Sequence, residues 1–251
     1  MSNQKPIIAG NWFKDTFDAL YPTIYAHRTI KAAKAESLFA MKQLNLQESD
    51  HVLDLCCGSG RHIAHLSKRT PYITGLDYSP HLLEMAQGKL DSQVNLIRGD
   101  MRHLPFKHAF DVVTNFFTSF GYFEDPKDNL KVAQDLATAL KPGGRFFLDY
   151  IAKKYTIEHL DPETYRVAGD FDVYEKRWVD HEAMRVNKTT IIKHDSEVVK
   201  TTGESVRLYT QEEFITLLKK GGLHVDETYG NYDGSPCAPD HPRMIIVGRK
   251  A

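Results

Sequence analysis

The stretch that most constrains the fold of this chain is VLDLCCGSGRH, residues 52–62. It begins with a short apolar run, passes through a glycine turn, and continues into apolar residues at helical spacing, Ile63 and Leu66. A strand, a tight loop and a helix in this order open a βαβ unit. Gly58 and Gly60 have no Cβ, so the backbone can turn sharply there and a ligand can lie against it. The first N–H groups of the helix point into the same space.

The loop differs from the dinucleotide fingerprint G-x-G-x-x-G, because its third position is Ile63 rather than glycine. Asp54 stands four residues before Gly58, and a carboxylate beside the loop would repel a pyrophosphate. The same carboxylate suits a ligand that carries an ammonium and a sulfonium, such as S-adenosylmethionine (SAM). The alternative interpretation is an ordinary strand–turn–helix in which Asp54 is a local hydrogen-bond acceptor.

A regular alternation of strands and helices follows the loop. The sequence predicts strands over residues 72–76, 94–98, 110–116 and 145–151, and helices over 63–69, 80–90 and 126–140. Two of the helices begin with a capping residue followed by proline, Ser79-Pro80 and Asp125-Pro126. Strands separated by helices predict a parallel sheet that is covered on both faces.

The two ends and the insertion have other patterns. Aromatic residues and a predicted helix over 29–44 suggest an N-terminal helical cap, and period-two alternation over 165–208 predicts three antiparallel strands. A capping box at Thr210 predicts a last helix, followed by strands over 223–229 and 244–247. We therefore expect a single domain, 1–251, divided into a cap (1–46), an α/β core (47–151 and 208–251) and an inserted antiparallel lid or dimerisation element (152–207).

Composition excludes several classes of protein. The 32 basic and 33 acidic residues balance, so no basic excess suggests a nucleic-acid or anionic-membrane partner. No apolar run approaches the ~20 residues of a membrane span, and the N-terminus shows no signal-peptide pattern. Three cysteines, two of them adjacent, form neither a disulfide framework nor a metal pattern. The expectation is a reduced, cytoplasmic, globular protein.

Acids follow the second and third predicted strands. Asp77 comes about 20 residues after the glycine loop, where an acid accepts hydrogen bonds from both ribose hydroxyls, as also happens in NAD sites. Asp100 can accept from an adenine amino group, while the backbone N–H of Met101 donates to the ring. Each acid could instead cap a helix, but their joint appearance at strand ends indicates a nucleoside site.

The order VLDLCCGSGRH, GLDYSPHLLEMA, LIRGDMRHLPF, FDVVTNFFTSFGYF and LKPGGRFFLDY resembles a class I SAM-dependent methyltransferase over residues 52–150. Cys56 departs from the pattern, which usually has its first glycine there. The ends, Tyr-x-His-Arg at residues 25–28 and Tyr-Asp-Gly-x-Pro at 232–236, resemble a bacterial subfamily related to amino-sugar N,N-dimethyltransferases and, more loosely, to glycine N-methyltransferases. The resemblance implies a Rossmann-like α/β/α sandwich with a seven-stranded, mostly parallel sheet whose last strand is antiparallel.

The resemblance also implies a cofactor, SAM, which leaves as S-adenosylhomocysteine. Aromatic rings suit a sulfonium through cation–π attraction, and four of them follow the fourth strand. Phe116 is expected to contact the cofactor and Phe120 the substrate, although packing under the next helix is the alternative for these rings. The expected cofactor contacts are Asp54, Cys56, Gly58, Gly60, Asp77, Tyr78, Asp100, Met101 and Phe116.

Methyl transfer needs positioning more than a strong catalyst. An amine acceptor has only to be neutral and aligned, whereas a hydroxyl acceptor would require a base. The catalytic candidates are Tyr25, His27 and Tyr232, with His241 as a further possible base; each could equally be a surface or packing residue. Arg28 and Arg243 can bind a substrate carboxylate.

Two subclasses are disfavoured by the end of the fourth strand. Metal-dependent catechol-type enzymes need an acid where this chain has Thr114-Asn115. Amide or adenine N-methyltransferases have Asn-Pro-Pro-Tyr at this point, whereas this chain has NFFTS over residues 115–119. No metal requirement is expected. The function predicted is methyl transfer from SAM to a small molecule, at nitrogen rather than oxygen, by a monomer or homodimer with no nucleic-acid or membrane partner. The alternatives are an O-methyltransferase with a histidine base, a non-catalytic SAM-binding regulator, and an NAD-dependent oxidoreductase, which Ile63 and Asp54 disfavour.

Overall fold

Two β-sheets carry the fold in the computed structural model, which describes residues 6–251. The elements follow one another along the chain as α1 (Phe13–Thr16), α2 (Tyr21–Ile24), α3 (Ala33–Gln43), β1 (Val52–Leu55), α4 (Ile63–Leu66), β2 (Ile73–Asp77), α5 (Pro80–Gln87), β3 (Asn95–Arg98), β4 (Phe110–Asn115), α6 (Pro126–Ala139), β5 (Leu140–Ile151), α7 (Lys153–Glu158), β6 (Glu163–Ala168), β7 (Phe171–Asp180), β8 (Arg185–His194), β9 (Glu197–Arg207), α8 (Gln211–Lys220), β10 (Leu223–Tyr229) and β11 (Arg243–Lys250).

The main sheet has seven strands in the order β10-β11-β5-β4-β1-β2-β3. Strands β1 to β5 pair in parallel, whereas β11 is antiparallel to both β5 and β10. Successive residues of a strand face opposite sides of the sheet, so Leu53 packs with α6 and α8 on one face while Val52 packs with α3 and α4 on the other. The predicted three-layer Rossmann-like sandwich with an antiparallel last strand is confirmed.

Side-chain caps fix where three helices of the core begin. Ser79 Oγ accepts a hydrogen bond from Leu82 N, and an Asp125 carboxylate oxygen accepts one from Lys127 N. Thr210 forms the predicted capping box with Glu213. Ser79, rather than Asp77, caps α5, so Asp77 is available for another role.

The second sheet has four antiparallel strands in the order β6-β7-β8-β9, one more than predicted. The additional strand is β6, which joins β7 through a two-residue turn between Ala168 and Phe171. It is an edge strand without buried residues, so its sequence has a weak apolar signal and pairing with β7 is what establishes it. We call residues 152–207 the insert; its division from the rest of the domain stays a prediction.

The N-terminal segment contains less helix than predicted. Its long helix begins at Ala33 rather than residue 29, and the short helices α1 and α2 precede it. Trp12 packs its ring 4.7 Å from that of Tyr122 in the core, while Tyr25 packs with Val173 and Ile192 of the second sheet. The segment therefore contacts both sheets. The first five residues of the predicted cap lie outside the described residues.

Candidate active site

A cavity of about 750 Å³ opens at the carboxyl ends of the parallel strands, bounded by the core, the N-terminal segment and the insert. Its volume lies within the usual range for small-molecule sites. We divide its lining into two halves. The strand-end half includes Cys56, Gly58, Asp77, Tyr78, Asp100 and Met101, and the insert half includes Tyr25, Arg28, Phe117, Asn187, Lys188 and Glu204.

The glycine loop depends on the left-handed backbone region. Cys56, Gly58 and Gly60 have φ of +61°, +54° and +74°. A Cβ at Gly60 would lie 2.5 Å from Leu90 Cδ1, although Gly60 itself does not line the cavity. A non-glycine side chain at a left-handed position costs about 1–2 kcal/mol. This cost is the physical reason why the family pattern usually has glycine where this chain has Cys56. Burial raises the pKa of the Cys56 thiol, so it stays protonated at the cavity wall.

Asp77 connects the loop to β2 and faces the cavity. Its two carboxylate oxygens accept hydrogen bonds from Gly58 N and Ser79 N, each at 2.8 Å. Burial raises its pKa, while these backbone N–H groups oppose the shift. A carboxylate has about four lone-pair sites, so Asp77 can still accept bonds from a ligand. Tyr78, the next residue, also lines this half.

Asp100 lines the same half but is already paired. The guanidinium of Arg102 lies 2.6 Å from its carboxylate and also reaches Asp128 at 2.9 Å. Burial raises the pKa of Asp100, but Arg102 outweighs burial and the net pKa is lowered. The carboxylate therefore stays charged beside Met101, which is 7% exposed.

Asp54 lies beneath the loop and does not line the cavity. It is 1% exposed; one oxygen accepts from the Thr114 hydroxyl at 2.8 Å, and the other has no partner among residues 6–251. Burial raises its pKa to about 7, against the bond from Thr114. A buried oxygen without a partner needs an explanation, and a cationic group bound above the loop supplies one.

His62 is a cavity residue that the sequence interpretation missed. Its ring stacks on Phe116 at 3.9 Å between centroids, and its Nε2 lies 2.6 Å from Glu36. Burial lowers the pKa of His62 to about 4, while the pKa of Glu36 is lowered because His62 and Arg61 outweigh its own burial. Neutral His62 thus donates from Nε2–H to Glu36, which leaves Nδ1 as an acceptor. Its position directly after the GSGR loop was the available signal.

Asp149 organises the far side of the cavity and was also missed. Its fully buried carboxylate accepts from Phe117 N at 2.8 Å, from Arg243 Nε at 2.6 Å, and from the Tyr232 hydroxyl. Burial and Asp149 raise the pKa of Tyr232, which stays a phenol and lies outside the lining. Arg243 lines the cavity, but Asp149 neutralises it. The signal was an acid near the carboxyl end of the fifth strand.

Phe117 and Thr118 hold a strained backbone after β4, with φ of +59° and +61°. Strain of this kind costs about 1–3 kcal/mol per residue and clusters at functional sites. It directs the Phe117 ring, 36% exposed, into the cavity. The guanidinium carbons of Arg28 and Arg61 each lie 4.7 Å from the ring centroid, and that of Arg243 lies 5.5 Å away.

Tyr25 and the second sheet form the polar wall of the insert half. The Tyr25 hydroxyl lies 2.6 Å from Lys188 Nζ and 3.0 Å from Glu204, and Lys188 pairs with Glu204 at 2.6 Å. Burial, followed by Glu204, raises the pKa of Tyr25, so the phenol stays protonated. His27 is exposed and outside the lining; partial burial and Arg28 lower its pKa.

Phe120 does not occupy the expected substrate position. It is 2% exposed and packs 5.0 Å from Phe214 of α8, away from the cavity lining. The packing alternative describes it better, because its ring belongs to the buried core cluster that also contains Phe214. Of the expected site residues, the lining excludes Asp54, Gly60, His27, His241, Tyr232 and Phe120, and it includes the others.

Within the described part of the chain, no group of three or more histidine, cysteine, aspartate or glutamate side chains is arranged to hold a metal ion. No helix there has the length and apolar character needed to cross a membrane.

Residues 52–144 match the sequence profile of a methyltransferase domain. The chain carries a SAM-dependent methyltransferase domain. Along most of its length the methyltransferase is similar to the cypemycin N-terminal methyltransferase of Streptomyces sp, with 27% identity over 78% of this chain and 81% of the relative.

Two solved structures share the fold of the methyltransferase. A SAM-dependent methyltransferase of Clostridium acetobutylicum has a TM-score of 0.77 at 21% identity and covers 92% of this chain and 96% of its own. SAM-bound CalS10, an amino pentose methyltransferase of Micromonospora echinaspora, has a TM-score of 0.69 at 18% identity over the whole of both chains. The observed site fits SAM, because the orphaned oxygen of Asp54 and the open glycine loop suit its cationic end.

Proposed function

We propose that this methyltransferase methylates a nitrogen atom of a small-molecule acceptor bound in the insert half. The observation that carries the proposal is Glu204, the one carboxylate among the described residues that lines this half. Its side chain is 24% exposed and is held by Lys188 and by the Tyr25 hydroxyl. A carboxylate in this position accepts a hydrogen bond from an amine N–H and orients the nitrogen lone pair toward the strand-end half.

SAM, when bound, supplies an electrophilic methyl group on its sulfonium. In the proposal, Asp77 accepts hydrogen bonds from ribose hydroxyls, and the Met101 backbone and Asp100 side chain border the adenine. Phe116 faces the positive charge, and Asp54 compensates the ammonium through the loop. Tyr25 acts as a donor that positions Glu204 rather than as a base, because its phenol stays protonated.

The insert serves as a lid in this proposal. Asn187, Lys188 and Glu204 bring its strands to the cavity wall. The insert is tied to the core by Arg185, which is 7% exposed and donates to the carbonyl oxygens of Phe123 at 3.0 Å and Tyr122 at 2.8 Å. The same surface could form the homodimer contact; the lid role is the one that the cavity lining supports.

Two of the similar proteins are compatible with a nitrogen acceptor. The cypemycin enzyme is named for an N-terminal methyltransferase activity, and CalS10 is titled an amino pentose methyltransferase. The proposal takes from them only that a nitrogen acceptor is compatible with this fold.

The test is turnover with SAM and a fractionated metabolite extract, followed by mass spectrometry of the methylated product and assignment of the methylated atom. Glu204→Gln should lower kcat/KM for the acceptor at least tenfold and leave the Kd for SAM within twofold. Glu212→Gln, on the exposed first turn of α8, is the matched control and should change neither. An O-methylated product, or full activity of Glu204→Gln, would contradict the proposal.

A second candidate, O-methylation with a histidine base, is favoured by one observation. His62 lines the cavity with Nδ1 free to accept a proton, and Glu36 orients its ring. It replaces His27, which lies outside the lining, in that role. An O-methylated product together with at least a hundredfold loss of kcat in His62→Gln would establish this candidate.

A further inference from the structure

The loop between β4 and α6 is held by two buried charged side chains, one near each end. Its backbone φ is positive at Phe117, Thr118 and Gly121, at +59°, +61° and +82°, so the loop follows neither a strand nor a helix. Near its start, the Asp149 carboxylate accepts a hydrogen bond from Phe117 N at 2.8 Å. Further along, three successive carbonyl oxygens face a single guanidinium, that of Arg185 at the start of β8.

Arg185 is 7% exposed and lies outside the cavity lining. Its Nη1 donates to Phe123 O at 3.0 Å, and its Nη2 donates to Tyr122 O at 2.8 Å and to Gly121 O at 3.3 Å. Its Nε and Nη2 also donate to the hydroxyl and carbonyl oxygens of Ser205, at 2.7 and 2.8 Å. All of these partners are neutral oxygens, so every nitrogen of the fork is hydrogen-bonded although none of its partners carries a counter-charge.

The burial of Arg185 is costly, because none of its hydrogen-bond partners offsets the desolvation of its charge. Burial accordingly lowers its pKa. Buried polar groups of this kind act by selecting one arrangement of the chain rather than by adding stability. A planar fork binds several carbonyl oxygens at fixed angles, which a lysine ammonium does not. Arg185 therefore determines the path of the backbone at residues 121–123.

Tyr122, whose carbonyl is the middle one of the three, lines the cavity. Its ring packs 4.7 Å from that of Trp12, so the N-terminal segment supports it from one side. Burial, followed by Cys56, Tyr21 and Glu204, raises the pKa of Tyr122, which stays a neutral phenol. Cys56 belongs to the strand-end half and Glu204 to the insert half, so Tyr122 stands where the two halves meet.

We propose that Arg185 is a positioning residue for methyl transfer, which fixes the Tyr122 hydroxyl beside the path of the methyl group from SAM to the acceptor. A methyl group on a sulfonium is electron-poor, and a neutral phenol oxygen offers it lone pairs. A neutral phenol is also a poor nucleophile, so it faces the methyl group without being methylated. The inference rests on the proposed function only in placing the acceptor in the insert half.

The first measurement compares SAM with S-adenosylhomocysteine, which lacks the methyl group and the positive charge, by calorimetric titration of the full chain. Tyr122→Phe removes the phenol oxygen and should lower the ratio of SAM affinity to S-adenosylhomocysteine affinity at least fivefold. Arg185→Lys replaces the fork by a point charge and should lower the same ratio by a similar factor. The ratio within one variant does not depend on the fraction of folded protein, so partial unfolding does not imitate this result.

The double variant decides whether Arg185 acts through Tyr122. If it does, Arg185→Lys lowers the ratio no further in the Tyr122→Phe background, because the group that it positions is already absent. Two independent contributions would multiply instead.

The second measurement uses Trp12 fluorescence as a probe of the Tyr122 ring. The chain has two tryptophans, so Trp178→Phe leaves Trp12 as the single one. In this background, Arg185→Lys should change the Trp12 emission of protein saturated with S-adenosylhomocysteine. Arg207→Lys is the matched control, because Arg207 also donates to a backbone carbonyl, that of Ala183, but in the turn before β8 and outside the lining. It should change neither the emission nor the affinity ratio.

The proposal is overturned if either Tyr122→Phe or Arg185→Lys leaves the affinity ratio within twofold of the wild type, or if their effects multiply in the double variant. An unchanged Trp12 emission in Arg185→Lys, or an equal fall of the ratio in Arg207→Lys, would also contradict it. Neither measurement involves an acceptor or a product. Detection of an O-methylated product would therefore refute the proposed function and leave this inference standing.

Discussion

The two halves of the cavity satisfy their charged groups in different ways. In the strand-end half, the carboxylate of Asp77 is bound by backbone N–H groups of Gly58 and Ser79, and Asp100 is bound by Arg102 two residues later. In the insert half, Tyr25 is bound by Lys188 and Glu204, which lie 163 and 179 residues away in sequence.

This difference indicates which half tolerates change. Backbone donors are present in every sequence that folds in this way, so Asp77 needs no particular partner side chain, and Asp100 needs only its near neighbour Arg102. The insert half depends on pairs of side chains from separate elements, and losing one member leaves the other buried and unpaired. We expect the insert half to differ between relatives with different acceptors, and the strand-end half to be shared.

The largest effect is expected at Asp149, which binds Phe117 N of the insert half and the cavity residue Arg243. Asp149→Asn removes the charge that neutralises buried Arg243 and should lower the free energy of unfolding by about 3–5 kcal/mol, measured by urea denaturation. Affinity for 5′-methylthioadenosine, which probes the strand-end half, should stay within twofold. Asp226→Asn breaks an exposed pair with Arg249 on the main sheet and should lose less than about 1 kcal/mol. Equal losses of unfolding free energy in the two variants would show that Asp149 stabilises the fold no more than an exposed carboxylate does.

Asp77→Ala tests the strand-end half. The change removes the acceptor for ribose hydroxyls, so SAM affinity should fall at least tenfold, or more than about 1.4 kcal/mol. It also leaves two N–H groups without partners, so stability should fall by about 1–3 kcal/mol for each N–H that stays buried.

Asp91→Ala is the matched control for Asp77→Ala, because Asp91 accepts a backbone N–H two residues on, from Gln93, at an exposed turn. It should leave SAM affinity unchanged. A lowered Tm in Asp77→Ala with unchanged SAM affinity would refute the cofactor role of Asp77.

His62 gives the cavity wall a pH dependence. Its folded pKa of about 4 lies below the 6.5 of an unfolded histidine, so the unfolded chain binds the extra proton first as the pH falls. Stability from neutral His62 is complete above pH 6.5 and is lost between pH 6.5 and 4, amounting to about 2 kcal/mol at pH 5.

Urea denaturation at pH 7.5 and pH 5 checks this effect. The free energy of unfolding of the wild type should fall by about 2 kcal/mol more than that of His62→Gln over this interval. Asp54 makes an opposite contribution in both proteins, because its raised pKa of about 7 makes its ionisation unfavourable over the same range. Taking the difference between the two proteins cancels that contribution. His81→Gln, an exposed residue of α5, should follow the wild type. Parallel pH profiles for wild type and His62→Gln would contradict the assignment of a neutral, buried ring.

The smallest effect concerns the loop backbone. Cys56→Gly relieves left-handed strain of about 1–2 kcal/mol in the folded state. The added backbone freedom also stabilises the unfolded chain by about 0.4–1 kcal/mol. The free energy of unfolding should therefore rise by about 1 kcal/mol or less. Cys57→Gly, at the next residue with an ordinary φ, should be destabilising. A loss of stability in both variants would show that the Cys56 side chain compensates for its strain.

The sequence predicted the main sheet well because its signals are local. Apolar runs, caps such as Ser79 and the capping box at Thr210 act within a few residues, and the structure has them where the sequence predicted. It failed for β6, an edge strand without a buried face, and for Phe120, where periodicity cannot distinguish a ring in the core from a ring at the cavity.

The sequence by itself therefore determined the fold, the cofactor class and the strand-end half, because strand order and backbone donors follow from contiguous motifs. Only the tertiary structure decided the insert half. It showed that Tyr232 and Arg243 meet at Asp149, that Glu36 orients His62, and that Arg185 binds the loop after β4. These relations join segments far apart in sequence, and no local pattern encodes which distant side chain neutralises a buried charge.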